Sequence, residues 1–221
     1  MNPKPRGLIF CQDLIPGVMN GTVTVTSRIM KPQPVCDDRA WAWYPSQGPP
    51  YGPVPWGLNE PCPLATDPRC PFRVGEKRYV KEAWYCDARG GLLGYPADGD
   101  CPHGEPYRVG RANYMLVTFA RTWVEIVTVK PARCQDITRE EVLASGIVMD
   151  PSGAWCQGVR TNCYETSRDA YAAFWDRLNG KPEYVKGAGF GGETLRVEPH
   201  HRWQDNPWVW RCTFRLCEAA K

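Results

Sequence analysis

A short run near the start of the chain places hydroxyl groups at alternate positions and ends in an arginine. Residues 20–28 have the sequence Asn-Gly-Thr-Val-Thr-Val-Thr-Ser-Arg. This alternation predicts a strand with one apolar face and one polar face, the latter formed by Thr22, Thr24, Thr26 and Arg28. Hydroxyls donate and accept hydrogen bonds, and arginine grips a phosphate or carboxylate with two parallel N–H groups. A solvated, threonine-rich edge strand has the same pattern, so both interpretations stand.

A glutamate lies between two apolar residues in a second predicted strand, residues 78–84. In an extended chain Val80, Glu82 and Trp84 share one face. Burial there would raise the pKa of the carboxyl group unless an arginine compensated, and both situations are common in functional sites. The alternative is a glutamate at a strand end, in contact with water.

Four residues of two loops have side chains that bind zinc: Cys62, Cys70, Cys101 and His103. Such a set can hold the ion tetrahedrally and join the loops. Their spacing is irregular and lacks the usual Cys-x2-Cys pair, and scattered buried thiols account for the cysteines equally well. We therefore expect no required cofactor, with a structural zinc as the alternative.

The bulk composition sets broad limits on fold and partners. A chain of 221 residues with 10 Trp, 10 Tyr and 6 Phe is long enough to bury a core, and we treat 1–221 as a single domain. The net charge of +3 permits a nucleic-acid partner without requiring one. No apolar run has the length of a signal peptide or membrane span, which predicts a cytoplasmic protein with mostly reduced cysteines and no membrane partner.

The pattern of elements predicts an α+β fold. Strands are expected at 8–10, 20–28, 78–84, 114–119, 123–129 and 208–216. Three helices are expected: one over 14–19 that Asp13 caps, a short one that begins with a capping box at Thr138, and a longer one from Thr166 or Ser167 to Asn179. Mostly antiparallel strands with two or three helices close most simply into a small barrel flanked by the helices. The last helix carries an aromatic stripe that we predict to be core: Tyr171, Phe174, Trp175 and Leu178. Long insertions rich in Pro, Gly and aromatic residues are expected near 36–70, 86–110 and 148–165.

These elements and their motifs resemble the ASCH domain of the PUA-like group, especially its phage and prophage form. The family pattern Gly-x-Lys-x-x-Thr-x-Arg corresponds to Gly21–Arg28, and its Gly-Glu-x-x-aromatic-Val-x-Glu-x-Trp signature corresponds to Gly75–Trp84. Further matching motifs are Cys134-Gln135-Asp136-Ile137, Phe174–Gly180 and Asn206-Pro207-Trp208-Val209-Trp210. The likeness extends over the whole chain and implies a PUA-like β-barrel.

The resemblance also implies a pocket, between barrel and helices, for a nucleotide, a modified base or single-stranded nucleic acid. One ASCH enzyme deacetylates acetylated cytidine with a lysine, a threonine and a glutamate, and another ASCH protein is a ribonuclease. The threonine and glutamate correspond to Thr26 and Glu82, whereas the lysine position is Val23. Valine can neither accept a proton nor lower the pKa of a nucleophile, so we favour binding over hydrolysis.

The resulting hypothesis gives each candidate residue a role. Arg28 and Arg121 would hold phosphate, Thr24 and Thr26 would hydrogen-bond the ligand, and Glu82 would recognise an exocyclic amine. Trp84 or Trp208 would stack on the base, which belongs to RNA, single-stranded DNA or a free nucleotide. Two alternatives remain: an amidohydrolase or ribonuclease acting on modified nucleosides or RNA through Thr26 and Glu82, and a phage factor that binds a host protein, in the host cytoplasm, through the aromatic insertion at 41–56.

Overall fold

A computed structural model describes residues 5–31, 33, 35–37, 40–42, 54–55, 70–99, 102, 106–157, 164–180, 183–185, 195–197 and 201–219. The strands in these ranges are β1 (Arg6–Ile9), β2 (Val25–Ile29), β3 (Val35–Asp37), β4 (Ala40–Ala42), β5 (Val54–Pro55), β6 (Lys77–Lys81), β7 (Trp84–Cys86), β8 (Leu92–Gly94), β9 (Arg108–Gly110), β10 (Trp123–Arg133), β11 (Ile147–Met149), β12 (Trp155–Gln157), β13 (Glu183–Val185), β14 (Leu195–Val197) and β15 (Trp208–Cys217). The α-helices are α1 (Ile15–Met19), α2 (Arg139–Ala144) and α3 (Ser167–Asn179). Short 3-10 turns lie at Gln12–Leu14, Pro96–Asp98, Ala112–Tyr114, Val117–Phe119, Cys134–Asp136 and Trp203–Asp205.

The main sheet has five strands in the order β1-β6-β10-β15-β2. Strands β1 and β6 run parallel, and the other neighbours run antiparallel. The predicted α+β class with a mostly antiparallel sheet is therefore confirmed. A closed barrel is not observed in the described ranges, because β1 and β2 are both edge strands and do not pair with each other. No helix in these ranges is long and apolar enough to cross a membrane.

Strand β15 separates two hydrophobic cores because its side chains alternate between the faces of the sheet. Trp210, Cys212 and Phe214 pack into the first core with residues of β1, β6 and β10. Val209 points the other way, into a second core that α2 and α3 cover. The alternation that predicted this strand from the sequence is thus confirmed, and it fixes which face each neighbouring strand presents.

Helix α3 begins and is buried as its sequence predicts. The Thr166 hydroxyl accepts a hydrogen bond from the backbone N–H of Asp169, and Tyr171 and Trp175 are buried in the second core. Phe174 is only partly buried, and Leu178 is 48% exposed, so the aromatic stripe is core along one side only. The short helix α2 likewise has the predicted capping box at Thr138.

A buried arginine joins α2 to the centre of the sheet. Arg211 is 1% exposed, and its guanidinium donates to the carbonyls of Arg133, Cys134 and Asp136. It also contacts the Glu141 carboxylate at 3.1 Å, and Lys130 contacts the other oxygen at 2.7 Å. The hydrogen bonds compensate the cost of burying the charge and hold the start of α2 against β15.

The predicted strand at 20–28 is wrong over its first half, because neighbouring elements bind that segment. The Asn20 side chain accepts hydrogen bonds from the N–H and hydroxyl of Thr22, and the backbone N–H of Val23 donates to Gly17 in α1. These local bonds compete with a strand ladder, which begins only at Val25. Asp13, predicted to cap the preceding helix, instead lies 3.6 Å from Arg177 of α3.

Two further strand predictions need correction. The run 78–84 divides into β6 and β7, which belong to different sheets. The run 114–119 forms two 3-10 turns, at Ala112–Tyr114 and Val117–Phe119, with Met115 between them. Met115 is buried, and its sulfur accepts a hydrogen bond from the backbone N–H of Glu82. Residues 86–110, expected as a loop insertion, contain β8 and β9, which flank β7 in a three-stranded sheet.

We predict that Gly110→Ala destabilises the fold by about 1–3 kcal/mol through overpacking. A methyl group at this position would lie 2.1 Å from the indole ring of Trp84, which is itself buried. Gly7→Ala is the comparison variant: its methyl group would lie 2.5–2.7 Å from carbons of the Lys81 side chain, which can move aside more readily than a buried indole ring. Urea unfolding of both variants measures the difference, and equal midpoints would contradict the close approach.

We predict that Glu141→Gln makes the protein less stable at neutral pH and reduces its sensitivity to acid. Burial opposes ionisation of Glu141, but hydrogen bonds from Lys130 and the Thr138 backbone outweigh it and hold the pKa below 4.5. A lowered carboxyl pKa stabilises the fold above the unfolded pKa, and this contribution is lost as pH falls through the folded pKa. The free energy of unfolding, measured at several pH values, is compared with that of Glu218→Gln, which changes an exposed glutamate. If stability depends on pH in the same way in both variants, the prediction is wrong.

Candidate functional site

A cavity of about 520 Å³ lies between β2, the end of β1 and helix α3. Its volume falls in the range typical of small-molecule sites. The lining residues come from these three elements and the end of α2: Ile9, Phe10, Cys11, Leu14, Val25, Thr26, Ser27, Arg28, Ile29, Lys31, Ser145, Tyr171, Phe174, Trp175, Leu178 and Asn179. The site therefore occupies the place where the two edge strands of the main sheet fail to pair.

Arg28 spans this opening. Its terminal nitrogen donates to the carbonyl of Ile9, so the side chain of one edge strand binds the backbone of the other. The guanidinium also lies 5.8 Å from the ring centroid of Phe10, within the range of a cation–π contact. These contacts fix the position of the cation at the wall of the cavity.

The cavity wall is cationic. Burial lowers the pKa of Arg28, and the nearby Arg78 cation lowers it further, yet a guanidinium remains protonated at neutral pH. The Nε atom of Arg28 is buried and has no hydrogen-bond partner in the described part of the chain. Lys31 is a second cation of the lining, and none of the described lining residues is an aspartate or glutamate. This positive charge favours an anionic ligand.

Aromatic rings and hydroxyl groups form the remainder of the wall. Trp175 is oriented by a 2.7 Å hydrogen bond from its indole N–H to the carbonyl of His201. Burial raises the pKa of Tyr171, so its phenol stays neutral beside Ser27. Thr26 adds a half-buried hydroxyl on β2. This mixture of ring faces and short polar groups is typical of sites that bind a planar, polar ligand.

Glu82 is fully buried but is not part of this lining. Its two carboxylate oxygens each accept a hydrogen bond of 2.9 Å from Arg121. The remaining nitrogen of Arg121 binds both oxygens of Asp98, at 2.7 and 2.8 Å, and the guanidinium stacks on Tyr95 at 3.9 Å. The arginine that would compensate burial of Glu82 is thus present. All three of its nitrogens contact carboxylates, so its charge is already compensated, which argues against the phosphate that we assigned to Arg121.

The other predicted site residues lie elsewhere in the fold. Thr24 is half-buried, and its backbone bonds to Ala144 and Phe214. Trp84 is buried, and its ring centroid lies 6.1 Å from that of Phe119. The guanidinium of Arg133 stacks over the ring of Trp208, 4.4 Å from its centroid. None of these residues lines the cavity, so of the set predicted from the sequence it brings together only Thr26 and Arg28.

Val23, the position that the resemblance assigns to a catalytic lysine, is a core residue. It is 3% exposed and belongs to the first hydrophobic core. Its methyl group approaches Gly17 and Gly146 so closely that added methyl groups there would lie 2.6 and 3.2 Å away. The position is therefore tightly packed, and it does not line the cavity.

Sequence reasoning missed the contribution of α3 to the site. Phe174, Trp175 and Leu178 were predicted as core, yet all three border the cavity. A helical apolar stripe indicates which side of a helix packs inward, but not whether the opposing surface leaves a space. The only sequence signal for the cavity was the alternating pattern that ends at Arg28.

The predicted zinc ligands Cys62, Cys101 and His103 lie outside the described residues, and Cys70 is buried in the first core. Within the described residues no group of three or more potential metal ligands occurs. The zinc site therefore stays a prediction. Burial raises the pKa of both Cys134 and Cys212 to about 12, so neither provides a reactive thiolate at neutral pH.

Comparisons of the chain with protein-family models, curated proteins and solved structures find no match. The chemistry of the site must therefore be inferred from its own side chains. These provide two cations, hydroxyl groups and aromatic rings around one cavity. Glu82, the carboxylate expected to act together with Thr26, is bound to Arg121 and is not among the described lining residues.

We predict that Glu82→Gln destabilises the fold by about 2–4 kcal/mol, because it leaves buried donors of Arg121 without their anion. The control is Glu125→Gln, which breaks the exposed pair with Arg215 and should cost less than about 1 kcal/mol. Chemical denaturation of both variants measures the two costs. Wild-type stability of Glu82→Gln would show that the carboxylate is not a structural anchor.

Proposed function

We propose that this protein binds a nucleotide, or a nucleotide unit of single-stranded nucleic acid, in the cavity beside β2. The observation that carries the proposal is the composition of the lining. Arg28 and Lys31 place positive charge in a cavity whose described lining includes no carboxylate, and Phe10 and Phe174 line the same space. Phosphate and base together match a cation beside aromatic rings, whereas a purely apolar ligand would not use the positive charge of the wall.

Arg28 is the proposed phosphate ligand. One of its nitrogens is held by Ile9, and its Nε atom is buried without a partner. A phosphate oxygen that contacts the guanidinium from the cavity would form a charge-assisted hydrogen bond. Thr26 lies on the same strand, two residues away, so its hydroxyl projects from the same face and is placed to bind the ligand's sugar or base.

Binding is favoured over catalysis for a geometric reason. The hydrolase hypothesis requires Thr26 and Glu82 to act on one substrate, with a base to activate the hydroxyl. Both oxygens of Glu82 are bound to Arg121, and Glu82 does not line the cavity with Thr26. A modified base is still a suitable ligand, since recognition needs only the ring and its polar edge.

The proposal includes a relationship to the ASCH domain and the PUA-like fold. Supporting observations are the five-stranded, mostly antiparallel sheet, the helix that covers its open edge and the position of the cavity between them. In this interpretation Arg28 and the first residues after β1 complete the side of the barrel that the backbone ladder leaves open. The proposed zinc and the host-protein partner of residues 41–56 are not needed for nucleotide binding.

We predict that Arg28→Lys weakens binding of a nucleoside 5′-monophosphate by about tenfold or more, because a lysine retains the charge but loses the planar pair of donors. Affinity for the corresponding nucleoside should change little, since that ligand carries no phosphate. Isothermal titration of the four monophosphates and their nucleosides measures both effects. Thr26→Val, which removes one hydroxyl at almost constant volume, should weaken both ligand classes.

Thermal melting of each variant provides the control for folding, because Arg28 also connects the two edge strands. The absence of binding by any monophosphate at low salt, where phosphate contacts are strongest, would overturn the proposal. The hydrolase alternative is tested by incubation with acetylated cytidine and labelled RNA. If the wild type converts either substrate and a folded Glu82→Gln variant does not, the hydrolase hypothesis replaces the binding proposal.

A further inference from the structure

The small sheet formed by β7, β8 and β9 presents an aromatic face to solvent. Tyr85 of β7 is the antiparallel partner of Val109 of β9, so their side chains project from one face. Tyr107 precedes Val109 by two positions and Arg111, with an extended backbone, follows it by two. Alternation therefore places all four on that face, which we call the tyrosine face.

The rings of the tyrosine face are held in a defined arrangement. Tyr85 and Tyr107 meet edge to face, with centroids 5.0 Å apart and planes at 80°. Tyr107 is 39% exposed and Val109 is 59% exposed. The opposite face of the sheet is covered, because Trp84 packs there against Phe119. The tyrosine face is thus a preformed surface on which a planar group can stack.

Two exposed arginines accompany this surface. Arg89 lies in the turn between β7 and β8, and Arg111 belongs to the tyrosine face itself, whereas Arg108 of β9 alternates with Val109 and projects from the opposite face. None of them has an ion pair within the described ranges, in contrast to Arg121, which binds two carboxylates. The carboxylate of Asp87 accepts hydrogen bonds from the backbone N–H of Arg89 and Gly91, at 2.8 and 2.7 Å, and so holds the turn.

We propose that the tyrosine face binds single-stranded nucleic acid. Unpaired bases would stack on the exposed ring of Tyr107, and Arg89 and Arg111 would bind phosphates of the same strand. Every base has a π face, so such a surface tolerates any sequence and accepts unpaired RNA or single-stranded DNA. A duplex keeps its base faces covered and is excluded. An acidic protein would match the charges but would make no special use of the ring.

This inference does not depend on the proposed function, because the tyrosine face and the cavity share no residue. A strand on a solvent-exposed face and a nucleotide unit in a cavity are different binding events. Each has its own variants: Tyr107 and Arg111 for the strand, Arg28 for the nucleotide. Failure of one proposal therefore leaves the other open to its own measurement.

The test uses fluorescence anisotropy with labelled oligouridylate and oligothymidylate of about twelve nucleotides, a length that spans a typical single-strand site. The full chain should bind both at low salt and progressively less as salt rises, because phosphate contacts release counterions. Tyr107→Ala should weaken binding about fivefold or more, whereas Tyr107→Phe keeps the ring and should bind as the wild type does. Circular dichroism and melting confirm that each variant is folded.

Arg111→Gln tests the electrostatic part. Removal of one phosphate contact should lower affinity and reduce the slope of log affinity against log salt by about 0.7. Arg139→Gln is the matched control, since it removes the same charge from an exposed arginine on α2 and should leave the slope unchanged.

Four results would overturn the inference. They are no oligonucleotide binding at low salt, unchanged binding by Tyr107→Ala, unchanged binding by Arg111→Gln, and equal affinity for a duplex of the same length. A polyglutamate peptide provides the comparison with a protein partner. If it binds as tightly as the oligonucleotides and depends on Arg111 but not on Tyr107, the face recognises acidic protein instead.

Discussion

The contact on which the site depends is the hydrogen bond from the Arg28 side chain to the carbonyl of Ile9. It connects β2 and β1, the two edges of a five-stranded sheet that do not pair through their backbones. A side-chain connection is longer than a ladder bond, so the edges stay apart and helix α3 covers the space between them. The cavity follows from this arrangement, and its wall necessarily contains the connecting cation. The same residue therefore connects the two edge strands and gives the cavity wall its positive charge.

The arginines of this chain serve different purposes, and their partners distinguish them. Arg211 and Arg121 have their donors directed at carbonyls and carboxylates, which is what burial of a charge requires. Arg28 is half-buried and donates to one carbonyl, and its Nε atom, like that of Arg211, has no partner in the described ranges. Arg111 is exposed without an ion pair in the described ranges. Arg211 and Arg121 thus have carboxylate partners within the fold, whereas Arg28 and Arg111 have none among the described residues and retain their charge for a phosphate.

Local signals in the sequence predicted the elements whose stability is local. The capping box at Thr138 and the alternation along β15 both describe interactions within a few residues, and both were confirmed. The predicted strand at 114–119 was wrong because the burial of Met115 against Glu82 is a long-range contact that propensity does not encode. For the same reason the sequence indicated Thr26 and Arg28 but not Phe174: the cavity exists only where α3 meets an open sheet edge. The sequence predicted that an arginine could compensate the burial of Glu82. Only the structure shows that this arginine is Arg121 and that it occupies both carboxylate oxygens of Glu82.

Val23 shows how far a family pattern can be transferred to this chain. The resemblance places a catalytic lysine at this position, but here the side chain packs in the first core against Gly17 and Gly146, where there is no room for a longer one. An ammonium group at that place would be buried without a carboxylate partner, since Glu82 is bound to Arg121. A Val23→Lys substitution alone would therefore not recreate the set of three residues that the resemblance implies. The packing around residue 23 and the ion pair at residue 82 both keep these positions apart from the cavity beside β2.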